Sequence, residues 1–117
     1  MQADKLKDIV VEALDSLKAK DISVLDVRDR TSVTDYMVIA SGTSNRHVRS
    51  LAENLVTEVK KDGVRSPAVE GDETNDWVLV DLGSVVVHVM LPATREFYDL
   101  ERFWRDAPPI EGAGGTE

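Results

Sequence analysis

Between residues 4 and 19 the apolar positions Leu6, Ile9, Val10, Ala13, Leu14 and Leu17 recur at intervals of three and four. That spacing winds them into one stripe and predicts an amphipathic helix. The β-branched run "DISVLDV" (21–27) predicts a strand. Thr31 to Asp35 is polar and turn-like. "YMVIASG" (36–42) is almost continuously apolar, the pattern of a strand buried on both faces, and Gly42 ends it. Thr43 or Ser44 is a suitable N-cap for a second helix, because a hydroxyl there can accept from an otherwise unpaired backbone N–H. The stripe of that helix is Val48, Leu51, Ala52, Leu55, Val56 and Val59. Lys60 and Lys61 suit the negative end of its dipole, and Gly63 suits the left-handed residue that closes it.

A loop with Ser66, Pro67, Gly71, Asp72 and Asn75 follows, with room for a short edge strand at 67–70. "DWVLVDLGSVVVHVM" (76–90) then gives two strands around a Gly83-Ser84 turn, which is short enough to require an antiparallel hairpin. Pro92 ends it, and Ala93 to Arg105 predicts one helix with Phe97, Leu100, Phe103 and Trp104 as its apolar residues. "APPIEGAGGTE" (107–117) is rich in proline and glycine and predicts a disordered tail beyond a single domain over 1–106. The order is α-β-β-α-(β)-β-β-α. It predicts an α/β (α+β) fold: a mixed sheet of about five strands with two long helices packed together on one face. Two such helices can cover one face of a sheet of that width, not both.

The hairpin then poses a question about the other face. Alternation puts Val78, Val80 and Leu82 on one side of the first strand, and Val85, Val87 and Val89 on one side of the second. These all-aliphatic sets are the better core. The opposite side displays Trp77, Leu79, Asp81, Val86, His88 and Met90. It is too apolar for free contact with water and too decorated for an ordinary core. One reading is a binding surface. The other is a face covered by the C-terminal helix, with Asp81 and His88 satisfied internally. A mixed outcome combines them, the helix covering part and a partner the rest.

Charge narrows the partner. Against 14 basic residues stand 22 acidic ones, for a net charge of -8. Nucleic-acid backbones are bound through lysine and arginine, so this balance disfavours a general nucleic-acid binder; it suits either basic protein partners or an acidity that serves solubility alone. The chain has no cysteine, which excludes disulfides and thiolate chemistry. Its polar, charged N-terminus, with Asp4, Lys5, Lys7 and Asp8, and the lack of a long apolar run lead us to expect a cytoplasmic protein without membrane contact. His47 and His88 sit on different elements, so no metal site is expected. "SGTSNR" (41–46) could cradle a phosphate at a helix N-terminus with Arg46 and Arg49 nearby, or be a plain strand-to-helix turn with solvated arginines.

Four stretches taken together resemble the ribosomal silencing factor family, also called the Iojap-related or RsfS family. They are "TSVTDYMVIASGTSNRHV" (31–48), "EG" (70–71), "DWVLVDLGSVVVHVM" (76–90) and "R..YDLERFW" (95–104). The resemblance runs from about residue 4 to 105. Where the family pattern often has an aspartate after the glycine of "DLG", this chain has Ser84, an acceptable turn residue.

The resemblance implies a fold similar to nucleotidyltransferases, with no cofactor, no metal and no chemistry of its own. It implies binding to the large ribosomal subunit through its basic ribosomal protein number fourteen. The small subunit is then blocked from joining, and translation is silenced when nutrients are scarce. Organelle relatives imply an alternative role in large-subunit assembly. On the decorated face and the adjacent C-terminal segment the expected contacts are Trp77, Leu79, Asp81, His88, Met90 and Tyr98, with Asp76 and Arg95 as further candidates. Apolar residues on that face could also pair two copies into a homodimer of the free protein. An enzyme is the rival class. A nucleotidyltransferase needs paired carboxylates on a strand to hold Mg²⁺. Glu70/Asp72 falls in an expected loop and Asp99/Glu101 in an expected helix, so neither suits.

Overall fold

The computed structural model describes residues 2–106; the expected tail at 107–117 lies outside the described residues. The first helix, α1, is Ala3–Ser16, and it turns the buried stripe Leu6, Val10, Ala13 and Leu14 inward. It stops three residues short of the expected boundary. Lys18 takes a left-handed conformation (φ 62°). The N–H groups of Lys18 and Ala19 close back onto the carbonyls of Asp15 and Leu14. This is a Schellman ending built on a lysine, so no glycine marks it in the sequence.

Strand β1 is Lys20–Asp26 and β2 is Tyr36–Ser41; every residue of β2 is buried. Helix α2 is Asn45–Lys61, capped by Ser44, whose Oγ accepts from the N–H of His47. It ends as expected on Gly63 (φ 101°), with Gly63 and Val64 donating to the carbonyls of Lys60 and Val59. Strands β3 (Ala68–Glu70), β4 (Trp77–Asp81) and β5 (Val85–Met90) complete a five-stranded sheet in the order β1-β2-β5-β4-β3. The β2/β5 pair is parallel and the other three pairs are antiparallel. The β4/β5 hairpin closes with Leu82 donating to Val85 across Gly83 (φ 88°) and Ser84.

Both long helices lie on one face. There Val78, Val80, Val85, Val87 and Val89 join Val38, Ala40 and the stripes of α1 and α2 in one core, with Leu82 packed against it. The aliphatic sets of the hairpin are therefore core, as their alternation predicts. Burying side chains of this size contributes about 1.5–3 kcal/mol each.

The C-terminal segment departs from the expected single helix. Helix α3 is Pro92–Tyr98 and α4 is Leu100–Asp106, separated by Asp99 in a left-handed conformation (φ 50°, ψ 50°). The break redirects the chain. Leu100 and Trp104, one helical turn apart, pack onto the second face against Val27, Met37, Ile39 and Met90. Phe97 and Phe103 do not join them and are 80% and 63% exposed. An unbroken helix would have continued in one direction and could not have turned that pair down onto β1 and β2.

Candidate docking surface

Register fixes how the second face is laid out. Across β1, β2, β5, β4 and β3 run two rows: Leu25, Met37, Val86, Asp81 and Ala68, and Ser23, Ile39, His88, Leu79 and Glu70. A shorter row joins Ser41, Met90 and Trp77. The α4 side chains cover the β1/β2 side of these rows. On the β4/β3 side Leu79 and Val86 are half-buried, and Ala68, Glu70 and Asp81 are exposed. The helix thus covers part of the face and leaves part of it open.

Aromatic rings gather at the border of the two parts. Trp77 is half-buried, and its ring centroid lies 4.7 Å from that of Tyr98. Tyr98 is 52% exposed and meets Phe97 edge-on at 5.0 Å. Beneath Trp77 lies His88, only 6% exposed, with its Nδ1 accepting the indole N–H at 2.8 Å. An indole nitrogen can only donate, so Nδ1 carries no proton and the imidazole is neutral. Burial pushes the pKa of His88 down to about 4, which agrees.

Two of the expected contacts present no usable surface. Met90 is fully buried in the cluster against which Trp77, Leu100 and Trp104 pack, and His88 is nearly so. Alternation gives the side of the sheet but not what lies over it. A partner meeting this face would touch neither directly. Asp81 is exposed, and its Oδ1 accepts from the N–H of Gly83, so it also braces the hairpin turn. Asp76 is exposed and accepts from Asn45 Nδ2 at 2.6 Å, tying the base of β4 to the start of α2.

Arg95 acts as a latch. Its Nε and Nη2 donate to Glu101 at 2.8 and 3.0 Å, its Nη1 to Ser41 Oγ at 2.9 Å, and its Nη2 to Ser23 Oγ at 3.2 Å. The Ser23 hydroxyl in turn donates to Glu101. The arginine side chain is 13% exposed and the glutamate 25%. The Arg95 guanidinium holds the Glu101 carboxyl below the usual carboxylate range, against the upward push of burial. The latch spans the αL break and pins it to β1 and β2, which sets where Tyr98 sits. At the far end, Arg30 donates to the carbonyls of Trp104 and Arg105.

Sequence reasoning did not find Ser23, Ser41 and Glu101 as members of this arrangement. A pair six residues apart does not lie on one helix face, so Arg95 and Glu101 signal nothing until the break is known. Phe97 beside Tyr98 did carry a signal: adjacent helix positions cannot both face the core, so at least one ring had to be presented.

Part of the 41–46 turn is engaged within the protein, beginning with the Gly42 N–H, which donates to the Met90 carbonyl. The Thr43 N–H is taken by His47 Nδ1 at 2.9 Å and the His47 N–H by Ser44. His47 Nε2 meets the Leu17 carbonyl at 2.8 Å, so this turn joins the end of α1 to the start of α2. Among the described residues no group of three or more His, Asp or Glu side chains could hold a metal ion, and no helix is long and apolar enough to cross a membrane.

These features describe a half-covered mixed sheet with an aromatic border, in a chain that is similar to known proteins over most of its length. Residues 1–116 match the family described as ribosomal silencing factor during starvation. A Chromobacterium violaceum protein named ribosomal silencing factor RsfS is 42% identical over 117 residues, covering 100% of this chain and 96% of its own. A crystal structure of a protein from that organism matches with a TM-score of 0.88 at 44% identity, over 93% of this chain and 91% of that one. The mouse protein named mitochondrial assembly of ribosomal large subunit protein 1 is 44% identical over 100 residues, which are 83% of this chain and 44% of that protein. The chain belongs to the ribosomal silencing factor family.

Proposed function

We propose that this protein docks on the large ribosomal subunit through the open part of its second sheet face, and that ribosomal protein number fourteen is the surface it meets. Bound there it stands in the way of the small subunit and represses translation under nutrient limitation. The mechanism is steric and uses no catalytic residue and no cofactor. The cytoplasm is the compartment this reading assigns.

The observation that carries the reading is the border of Trp77, Tyr98 and Phe97, with Leu79 and Val86 beside it. Exposed carboxylates at Glu70, Asp76, Asp81, Glu96 and Asp99 accompany it in the same segments. Half-exposed aromatics at the centre of a patch supply most of the affinity in protein interfaces, and rim charges choose the partner and speed its approach. An acidic rim selects a basic protein and repels bare RNA phosphates. Trp77, Leu79 and Tyr98 are the proposed direct contacts, with Asp81 and Asp76 on the rim. Met90, His88 and Arg95 support them from beneath. The same exposed apolar residues would let two free copies pair, with the ribosome competing for that surface.

Titrating purified ribosomal protein fourteen against this protein tests the reading. Saturable binding that weakens with added salt and is about thirtyfold weaker in Tyr98→Ala supports it. Binding that ignores the Tyr98 change places the contact elsewhere. A second reading, a role in assembling the large subunit, is favoured by the name of the mouse relative. It uses the same docking and differs in leaving mature subunits free to join.

A further inference from the structure

We infer that His88 is a positioning residue of the docking face: through Nδ1 it fixes the ring of Trp77 in the orientation that, with Tyr98, meets the partner, while making no contact itself. This deepens the docking reading above and rests on it.

His88 stands in the middle of β5, between Ile39 of β2 and Leu79 of β4. An aliphatic side chain would be the default there, since burying an imidazole among such neighbours costs desolvation. The Trp77 ring is half-buried, and its indole N–H is aimed at the imidazole. What the histidine adds is a fixed acceptor, 2.8 Å from the indole nitrogen, that selects one setting of the ring. Tyr98 packs on that ring at 4.7 Å with a 48° tilt, and Phe97 packs edge-on against Tyr98. The order of support runs from His88 to Trp77 to the exposed rings. An aromatic anchor already held in its bound orientation loses less freedom on association, so a residue with 6% exposure can govern affinity.

The test separates the two nitrogens of the ring. In His88→Asn the amide oxygen can stand where Nδ1 stands. In His88→Gln the longer side chain carries its amide toward the place of Nε2. In His88→Phe neither is replaced. Each variant is read twice: by the indole N–H resonance of Trp77 in the free protein, assigned by its loss in Trp77→Phe, and by affinity for purified large subunits. His88→Asn should keep the hydrogen-bonded indole resonance and bind within about threefold of the parent. His88→Gln and His88→Phe should shift that resonance and bind about tenfold more weakly, the scale of one lost hydrogen bond. Parent-like binding by His88→Phe overturns the inference. So does rescue by glutamine and not by asparagine, which would make the outer nitrogen a direct contact. If His88→Phe does not fold, the asparagine and glutamine pair still decides. If the parent itself fails to bind large subunits, the docking reading falls, and the indole resonances alone report whether His88 fixes Trp77.

Discussion

On the helix-covered side of the sheet, the inward residues of β4 and β5 are Val78, Val80, Val85, Val87 and Val89, all with 0% exposure. No polar side chain from these two strands enters that core, and two helices of 14 and 17 residues close it. On the other side the same two strands present Trp77, Leu79, Asp81, Val86, His88 and Met90. A helix of only 7 residues covers part of it, held by an ion pair and two serines. The first side is built for stability, because apolar burial needs no orientation. The second is built for placement: its polar groups are spent on fixing rings and a chain break. Hydrogen bonds of this kind add little net stability but are costly to leave half-made.

The contrast can be broken first on the stable side. Leu55→Ala, at a position with 0% exposure in α2, should lower unfolding stability by about 3 kcal/mol, seen as a lower denaturant midpoint. It should leave the affinity of the molecules that remain folded unchanged.

On the second side, Arg95→Ala leaves Glu101 half-enclosed without its partner. Breaking a buried pair costs about 3–5 kcal/mol. The glutamate keeps 25% exposure, so a loss nearer about 2 kcal/mol is expected, with increased proteolytic cleavage around Asp99 as its local signature. Glu101→Gln removes the counter-ion of the more buried Arg95 but keeps an amide oxygen that can accept from it, so a smaller loss is expected.

Trp77→Ala and Tyr98→Ala should each weaken large-subunit binding by about 2 kcal/mol, measured by cosedimentation. Tyr98→Ala should barely move the unfolding curve, because the side chain is 52% exposed. Circular dichroism distinguishes lost contact from lost fold in Trp77→Ala.

The smallest effect is a pH dependence. His88 in the folded protein titrates near 4, below the 6.5 of a free imidazole. As the pH falls below 6.5 the unfolded chain takes up a proton that the folded chain refuses. This stability is therefore complete above 6.5 and is lost on the way down to about 4. Between about pH 7 and pH 5 the parent should lose roughly 1–2 kcal/mol more than His88→Asn does. The Glu101 carboxyl, held below its usual range, loses its contribution only at more acid pH.

Much of the stable side was legible in the sequence, and less of the other. Periods of three and four in α1 and α2 and of two in the hairpin are repeated many times, so they survive local exceptions. Ser44 and Gly63 announce their roles because few other residues perform them. The end of α1 was overrun because Lys18, not a glycine, adopts the left-handed turn. The break at Asp99 was missed for the same reason, and everything that depends on it followed: Leu100 and Trp104 turned inward onto the cluster that holds Met90, and Arg95 made a latch. A left-handed aspartate leaves no periodic trace. Trp77 and His88 stood out because a mixed aromatic and polar set is unusual on a strand, and Tyr98 because it lies in the adjacent C-terminal segment, but the sequence could not say which of them is presented and which holds another in place.

The central claim is that the open half of the second face docks on the large subunit and excludes the small one. Separated subunits mixed with the parent or with Tyr98→Ala and resolved on a sucrose gradient test it most directly. The account predicts that the parent sediments with the large subunit and depletes the joined ribosome, while Tyr98→Ala stays near the top and leaves joining intact. A parent that binds the large subunit yet leaves the joined peak unchanged would contradict the steric mechanism and turn the function toward assembly.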